Sequence, residues 1–469
     1  MVGYLRGGVL PRRFAVAGAR RYCAAVARAK NLKEARRFLD PRPLDFSAQN
    51  KDGPVETNPD FYLEPPAEDP VPGGLKTPTP VENIRDELLA DVRGSKKVFL
   101  CGHVGSGKST ELSRLIVDPE IQERFTVVPL RFEEQEWATL DSPQILFRLA
   151  LAIYEFAVAQ KLLAGLEARW EKRFKDLDER IIGSSGVQAR EGSISAEYNL
   201  VIVKLKQELR LSEKARRQFR ELGETEPTLL QDLLKALVND VEMNLAKAQR
   251  PAHLLMVVDD LDKVRGTEQQ QEIFHSNLNA LLVPPVRIVY TIPTGVFFGE
   301  QSRPEARREV QHLFPIRVLK KHRGWNPEEA CIEDRITFFH DLVAQRVEAG
   351  VIDAEAIRLA AIYSGGVLRD FFRLLRDGIR IALHNKLDKL NGLPMKYAVS
   401  EARRSESAGL YEPDYIVLEH VHRTNELKSS ADRRLLDLSR VLECYNGSIW
   451  FEVNPLLWQL LEPHAAAAH

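Results

Sequence analysis

A chain of 469 residues exceeds what one hydrophobic core usually supports, so two or three domains are expected. Its 44% hydrophobic and 28% charged residues describe a globular protein, and a formal net charge of −1 excludes a bulk electrostatic argument for nucleic acid or anionic membrane. The four cysteines, Cys23, Cys101, Cys331 and Cys444, are widely separated, which argues against a disulfide framework or a structural zinc site and fits a reducing, cytoplasmic setting. No apolar run approaches the roughly 18 to 20 residues needed to cross a bilayer, so no membrane role is expected.

Residues 1–40 open with a strongly basic stretch: the first 33 hold eight Lys and Arg and no acid. A basic helical arm fits, as does a transit peptide, which would place the protein in an organelle matrix. Residues 41–80 carry ten of the 26 prolines, which cannot continue a helix or a central strand, so an extended linker is predicted. A short helix near 81–92, the apolar strand 97–101, a glycine loop and a helix from Lys108 follow, then a second strand at 125–132. This is the start of a parallel α/β sheet.

Between about 142 and 250 the pattern turns helical. Leu163, Leu166, Trp170, Phe174, Leu177 and Ile181 recur at spacings of three and four, an amphipathic seam that packs within the insertion or docks a partner helix. Gly183-Ser184-Ser185-Gly186 breaks the pattern before a strand-like alternation at 194–202.

The chemistry concentrates in two places. In Gly102-His103-Val104-Gly105-Ser106-Gly107-Lys108-Ser109, followed by Thr110, the glycines let successive backbone N–H groups face phosphate oxygens at a helix N-terminus. Lys108 would neutralise the β- and γ-phosphates of ATP, and the Ser109 hydroxyl would ligate Mg2+. The second is the apolar strand Leu254-Leu255-Met256-Val257-Val258, which ends in Asp259-Asp260-Leu261-Asp262 where an open α/β sheet places ligands. Asp259 would reach the magnesium and Asp260 would orient or deprotonate the attacking water, whereas Asp262 reads as local.

Downstream, the strand 286–292 presents Thr291, a candidate γ-phosphate sensor or a plain strand end. Arg303, Arg307 and Arg308 are candidates for an arginine acting on a neighbouring subunit, or a solvated basic face. Ser364-Gly365-Gly366 starts a helix that could deliver Arg369 to the phosphates from a lid. A helix at 432–442 and the Asn446-Gly447 turn close the sequence with a winged-helix-like pattern. Residues 400–469 hold seven Lys and Arg against eleven Asp and Glu, which suits protein contacts better than nucleic acid.

With these motifs in order, the chain from about 80 to 385 resembles the AAA+ and STAND division of P-loop NTPases. The phrase from Gly102 to Leu112, with Val258 to Lys263, resembles STAND-like ATPases of antiphage defence and signalling. The resemblance implies a P-loop parallel sheet at 81–320 with its helical insertion, a helical lid at 321–398 and a winged-helix-like domain at 399–469. It also implies a regulatory switch that hydrolyses ATP and assembles as a homo-oligomer or with protein partners supplying sensor and effector. Many members carry Glu where Asp260 stands, so slow turnover is expected. Two other readings remain: a DNA-associated initiator or loader, and a scaffold that holds nucleotide without hydrolysing it. Phe61 and Tyr62 would stack on the base, and nothing in the sequence separates ATP from GTP.

Overall fold

The computed structural model describes residues 28–47, 54–66, 78–182, 205–264 except 206 and 227, 266–296 except 295, 309–321, 324–428 and 432–467. The arm before residue 28, the break and strand at 183–202, and Arg303, Arg307 and Arg308 lie outside the described residues.

Apolar, β-rich runs build a five-stranded parallel sheet from β1 (Lys97–Cys101), β2 (Phe125–Arg131), β3 (His253–Asp259), β4 (Arg287–Ile292) and β5 (Val310–His312). The strand order is β2-β3-β4-β1-β5. Both faces are covered, which is why these strands read as continuous rather than alternating hydrophobic runs. Val98, Leu100, Leu255, Val257 and Val289 face α2 (Pro80–Ala90) and α3 (Lys108–Val117). On the opposite face Phe99, Cys101, Met256, Val258 and Tyr290 meet the insertion.

The insertion between β2 and β3 includes α4 (Ser142–Ala159), α5 (Glu167–Ile182), α6 (Glu213–Thr225) and α7 (Leu229–Lys247). Its predicted seam is spent internally. Trp170, Phe174, Leu177 and Ile181 are buried, Trp170 Nε1 donates to Asp240 at 3.0 Å, and the Phe174 ring lies 5.1 Å from that of Tyr154. One expectation is corrected here: α4, at 18 residues, is long and apolar enough to cross a membrane. With 67% of it buried, and packed on α7, it serves as the insertion's central helix.

A second core gathers α8 (Glu333–Ala344), α9 (Ala354–Tyr363), α10 (Leu368–His384) and α11 (Gly392–Ser407). Helix α11 runs unbroken through 398/399, where the sequence suggests a domain boundary. The N-terminal helix α1 (Leu32–Phe38) belongs to this core through Leu32, Ala35 and Phe38, and Ala29 bridges to Val347. The proline-rich segment is not a free linker where it is described. Leu44 N donates to Thr110 Oγ1 and Phe46 N to Ser113 Oγ, so it forms a strap against α3.

The chain ends with α12 (Glu412–Thr424), α13 (Arg433–Asp437), an antiparallel hairpin of β6 (Val441–Tyr445) and β7 (Ile449–Val453), and α14 (Trp458–Ala467). The helix predicted for 432–442 is shorter than expected. Ser439 adopts φ 54°, a left-handed conformation that ends it, and Val441 already belongs to β6.

Candidate nucleotide site

The loop after β1 wraps into the N-terminus of α3 with Gly105 at φ 99° and Gly107 at φ 109°. Gly105 is required twice over. Its backbone lies in a region side chains avoid, and a Cβ there would stand 2.5 Å from Arg369 Cβ. That closeness lets Arg369 N, at the start of α10, donate to Gly105 O at 3.1 Å.

Lys108 is 4% exposed, and its ammonium donates to Gly102 O at 2.5 Å and His103 O at 2.9 Å. It also pairs with Asp262 Oδ2 at 2.9 Å. The expectation that Asp262 is merely local is therefore corrected: it reaches back to the glycine loop and pairs with Lys108. The 3-10 turn after β3 (Leu261–Lys263) swings the third aspartate back toward the loop, a bend invisible in hydrophobic periodicity.

Asp259 is buried at the end of β3, and burial together with the neighbouring Asp260 and Asp262 pushes its carboxyl pKa up, against a hydrogen bond from Ser109. The three aspartates bring carboxylate oxygens within 4.8 Å of one another. This repelling oxygen set, with the Ser109 hydroxyl beside it, fits a hard divalent cation such as Mg2+. Asp260 takes φ 69°, and its carboxylate meets Lys263 Nζ at 2.5 Å. The candidate base is thus tethered.

Thr291 is fully buried on β4, and its Oγ1 has no hydrogen-bond partner among the described residues. Strand alternation puts it on the α3 face with Asp259, because Val258 pairs with Tyr290 one position earlier. Thr294, which sequence reasoning passed over, lines a small cavity with Gly102, Val104 and Asp262. A threonine two residues after the strand carries no periodic signal.

Arg369 is largely buried at the lid helix start. Burial and Arg373 lower its pKa, while Asp370, Asp262 and Asp260 oppose that shift, so the guanidinium shares the field of two aspartates of the β3 edge. A cavity of about 110 Å³ opens between the loop residues Gly105 to Glu111, the strap and the lid. Phe61 and Tyr62 both line it, but neither ring is free: Phe61 is buried beside Arg346, and Tyr62 Oη donates to Glu111 at 3.0 Å. Thr110 is held by the strap, and Ser106 Oγ is buried with no hydrogen-bond partner among the described residues.

The other side of the loop is closed by the C-terminal hairpin. His103 is 2% exposed, and its Nε2 accepts from Glu443 N at 2.7 Å. Burial lowers its pKa to about 4, with Glu443 opposing and Lys108 reinforcing, so the imidazole is neutral and carries its proton on Nδ1. Arg433 of α13 adds a buried hydrogen bond to Gln270 of the core.

No protein-family model and no curated protein matches the chain. Among solved structures, Drosophila ORC bound to DNA aligns at 12% identity and a TM-score of 0.38, covering 98% of this chain and 96% of that one. The ORC2 protein of Aeropyrum pernix, in ADPNP and ADP complexes, aligns at 14% and 0.39, covering 87% and 98%. A Walker-type ATPase of Pyrococcus abyssi aligns at 13% and 0.35, covering 86% and 99%. Similarity at this level carries no inference about activity or partner. What stands on the chain's own geometry is an α/β fold: a P-loop parallel sheet with a helical insertion, a helical lid and a C-terminal helix-and-hairpin unit.

Proposed function

We propose that the chain is an ATP-binding and hydrolysing switch of AAA+ type, used in the manner of STAND proteins, whose nucleotide state sets the position of its lid and C-terminal unit. The observation that carries this reading is that both units bond directly to the phosphate loop, Arg369 N to Gly105 O and Glu443 N to His103 Nε2.

In the proposed cycle the triphosphate enters the cavity, and its oxygens replace Asp262 and the loop carbonyls as acceptors for Lys108. Asp259 and Ser109 would hold Mg2+, which when bound neutralises phosphate charge. Lys263 releases Asp260, which orients the attacking water, and Arg369 donates to the terminal phosphate. Thr291 offers a hydroxyl on the same sheet face. The strap and lid exclude water and surround the base. The tether on Asp260 and its short side chain support slow turnover, which suits a switch better than a motor.

A protein partner or a second copy of the chain is the proposed recipient of the signal, in defence or signalling. The C-terminal unit's basic side chains are already engaged. Arg434 pairs with Asp414, Arg440 with Glu406 and Arg423 with Glu419, while Arg403 donates to Leu456 O and Arg433 to Gln270. Few remain for phosphate contacts on DNA.

The test is mass by light scattering for wild type and Asp260→Asn, each with ADP and with ATP-magnesium, alongside phosphate release. ATP-driven assembly that persists in the variant while phosphate release stops is the expected result. Unchanged mass in both, with hydrolysis stimulated by DNA and lost at high salt, would transfer the chain to the initiator or loader reading.

A further inference from the structure

Behind the phosphate loop, on the sheet face turned away from α3, three residues remote in sequence converge. Cys101 ends β1, His312 ends β5 and is its register partner, and Glu443 sits at the centre of β6. A sulfur, an imidazole nitrogen and a carboxylate oxygen lie within 4.8 Å of one another. Cys101 is 3% exposed and Glu443 6%, so neither is a surface group that happens to be near the others.

The geometry points to a binding site for a borderline-soft divalent metal ion, zinc by preference, built from Cys101 Sγ, His312 Nδ1 and Glu443. One thiolate, one imidazole and one carboxylate form a donor set chosen by such ions and ill suited to magnesium or calcium. His312 is pre-oriented for this role. Its ring stacks on Phe314 at 5.4 Å and 11°, and Phe314 stacks on Tyr445 at 5.3 Å and 15°, so Phe314 links one face of the imidazole to the hairpin.

Its Nδ1 is buried yet makes no hydrogen bond among the described residues, with the closest Glu443 oxygen at 3.7 Å. Donor atoms around one tetrahedral zinc stand about 3.3 to 3.6 Å apart, given bonds of about 2.0 to 2.3 Å. The nitrogen–oxygen pair is nearly at that spacing, and the thiol needs a shift of roughly 1.2 to 1.5 Å at most to complete a tetrahedral face. Cys101 Sγ now lies 3.6 Å from Pro293 O, a weak contact that a metal bond readily displaces. The fourth ligand would be a water, on the side of the three donors left open by protein atoms.

The site bridges two parts of the molecule. Cys101 directly precedes Gly102, and the backbone N–H of Glu443 is the group bonded to His103. A bound ion therefore fastens the hairpin to the root of the phosphate loop. Wide cysteine spacing argues against zinc only when all the ligands are cysteines, whereas here the fold supplies the other two.

The experiment uses the full chain, stripped with chelator and titrated with Co2+. One ion per chain is expected, with a thiolate-to-cobalt charge-transfer band and the strong visible bands of tetrahedral cobalt, displaced by Zn2+. Cys101→Ser should remove the charge-transfer band, and Glu443→Gln should weaken binding at least about tenfold. Asp259→Asn, at the magnesium position, should leave the band unchanged. His312→Phe keeps the ring stack and should abolish tetrahedral binding if Cys101→Ser fails to fold. A folded wild-type chain without the band, or a band that survives Cys101→Ser or His312→Phe, would overturn the site and leave an ion pair beside a buried thiol.

Discussion

The two sides of the phosphate loop are built on opposite principles. Toward α3, the strap and the lid, the loop faces a cavity of about 110 Å³ lined by the Lys108–Asp262 pair, Lys263 and Arg369, with Asp259 and Asp260 clustered beside Asp262. Toward the hairpin the loop is packed shut, and His103 is neutral, buried and bonded to a main-chain N–H. The open side has the character of a binding site, with polar side chains lining a cavity, and the closed side that of a joint. A switch needs both, because differential contact with a second element is what lets a ligand shift a conformational equilibrium.

The comparison is broken most severely by Lys108→Ala. Loss of two charge-assisted bonds at about 1.5 kcal/mol each should weaken ATP binding about 100-fold or more by calorimetry, and the melting temperature should fall as well because Asp262 loses its buried partner. Unchanged affinity would mean the open side is not a triphosphate site. Next is Asp259→Asn, which should cut phosphate release about 100-fold with nucleotide affinity in chelator unaltered. Equal losses in both measurements would make Asp259 a structural residue.

Arg369→Ala should slow phosphate release about tenfold, one charge-assisted bond's worth, and leave ADP binding nearly intact because the terminal phosphate is its proposed partner. The smallest effect probes the joint. His103 has a folded pKa lowered from 6.5 to about 4, so between those values the unfolded chain takes up a proton that the folded chain refuses. Its contribution is fully present above pH 6.5 and shrinks as pH falls toward 4. Glu443 and Lys108 face the same ring, and His312 lies beside Glu443. His103→Gln keeps an acceptor for Glu443 N without titrating, and its melting temperature should fall less than that of wild type between pH 7 and pH 5. Equal falls would deny His103 any part in the acid response.

Much of the open side is legible in sequence because its parts are local. Glycines within one loop, the lysine and serine that follow, and two aspartates ending an apolar strand each sit within a few residues of a periodic element that declares its own direction. The insertion's helices are legible for the same reason: their seam obeys helical spacing and is buried against neighbours in the same segment. Asp262 is not legible because the turn after β3, not the strand, aims it at Lys108. The strap is not legible because prolines forbid helix but say nothing about what an extended segment lies against.

Sequence alone determined a P-loop parallel sheet with a phosphate cradle and an acidic strand edge, since glycine freedom, hydrophobic period and carboxylate placement act over neighbouring residues. The tertiary structure alone decided that α1 joins the lid, that the strap lies on α3, that Arg369 reaches Gly105, and that Cys101, His312 and Glu443 meet behind the loop. The strap's contacts span 66 and 67 residues, and the others join positions separated by hundreds. They exist because packing, which local propensity does not encode, brings separate buried faces together.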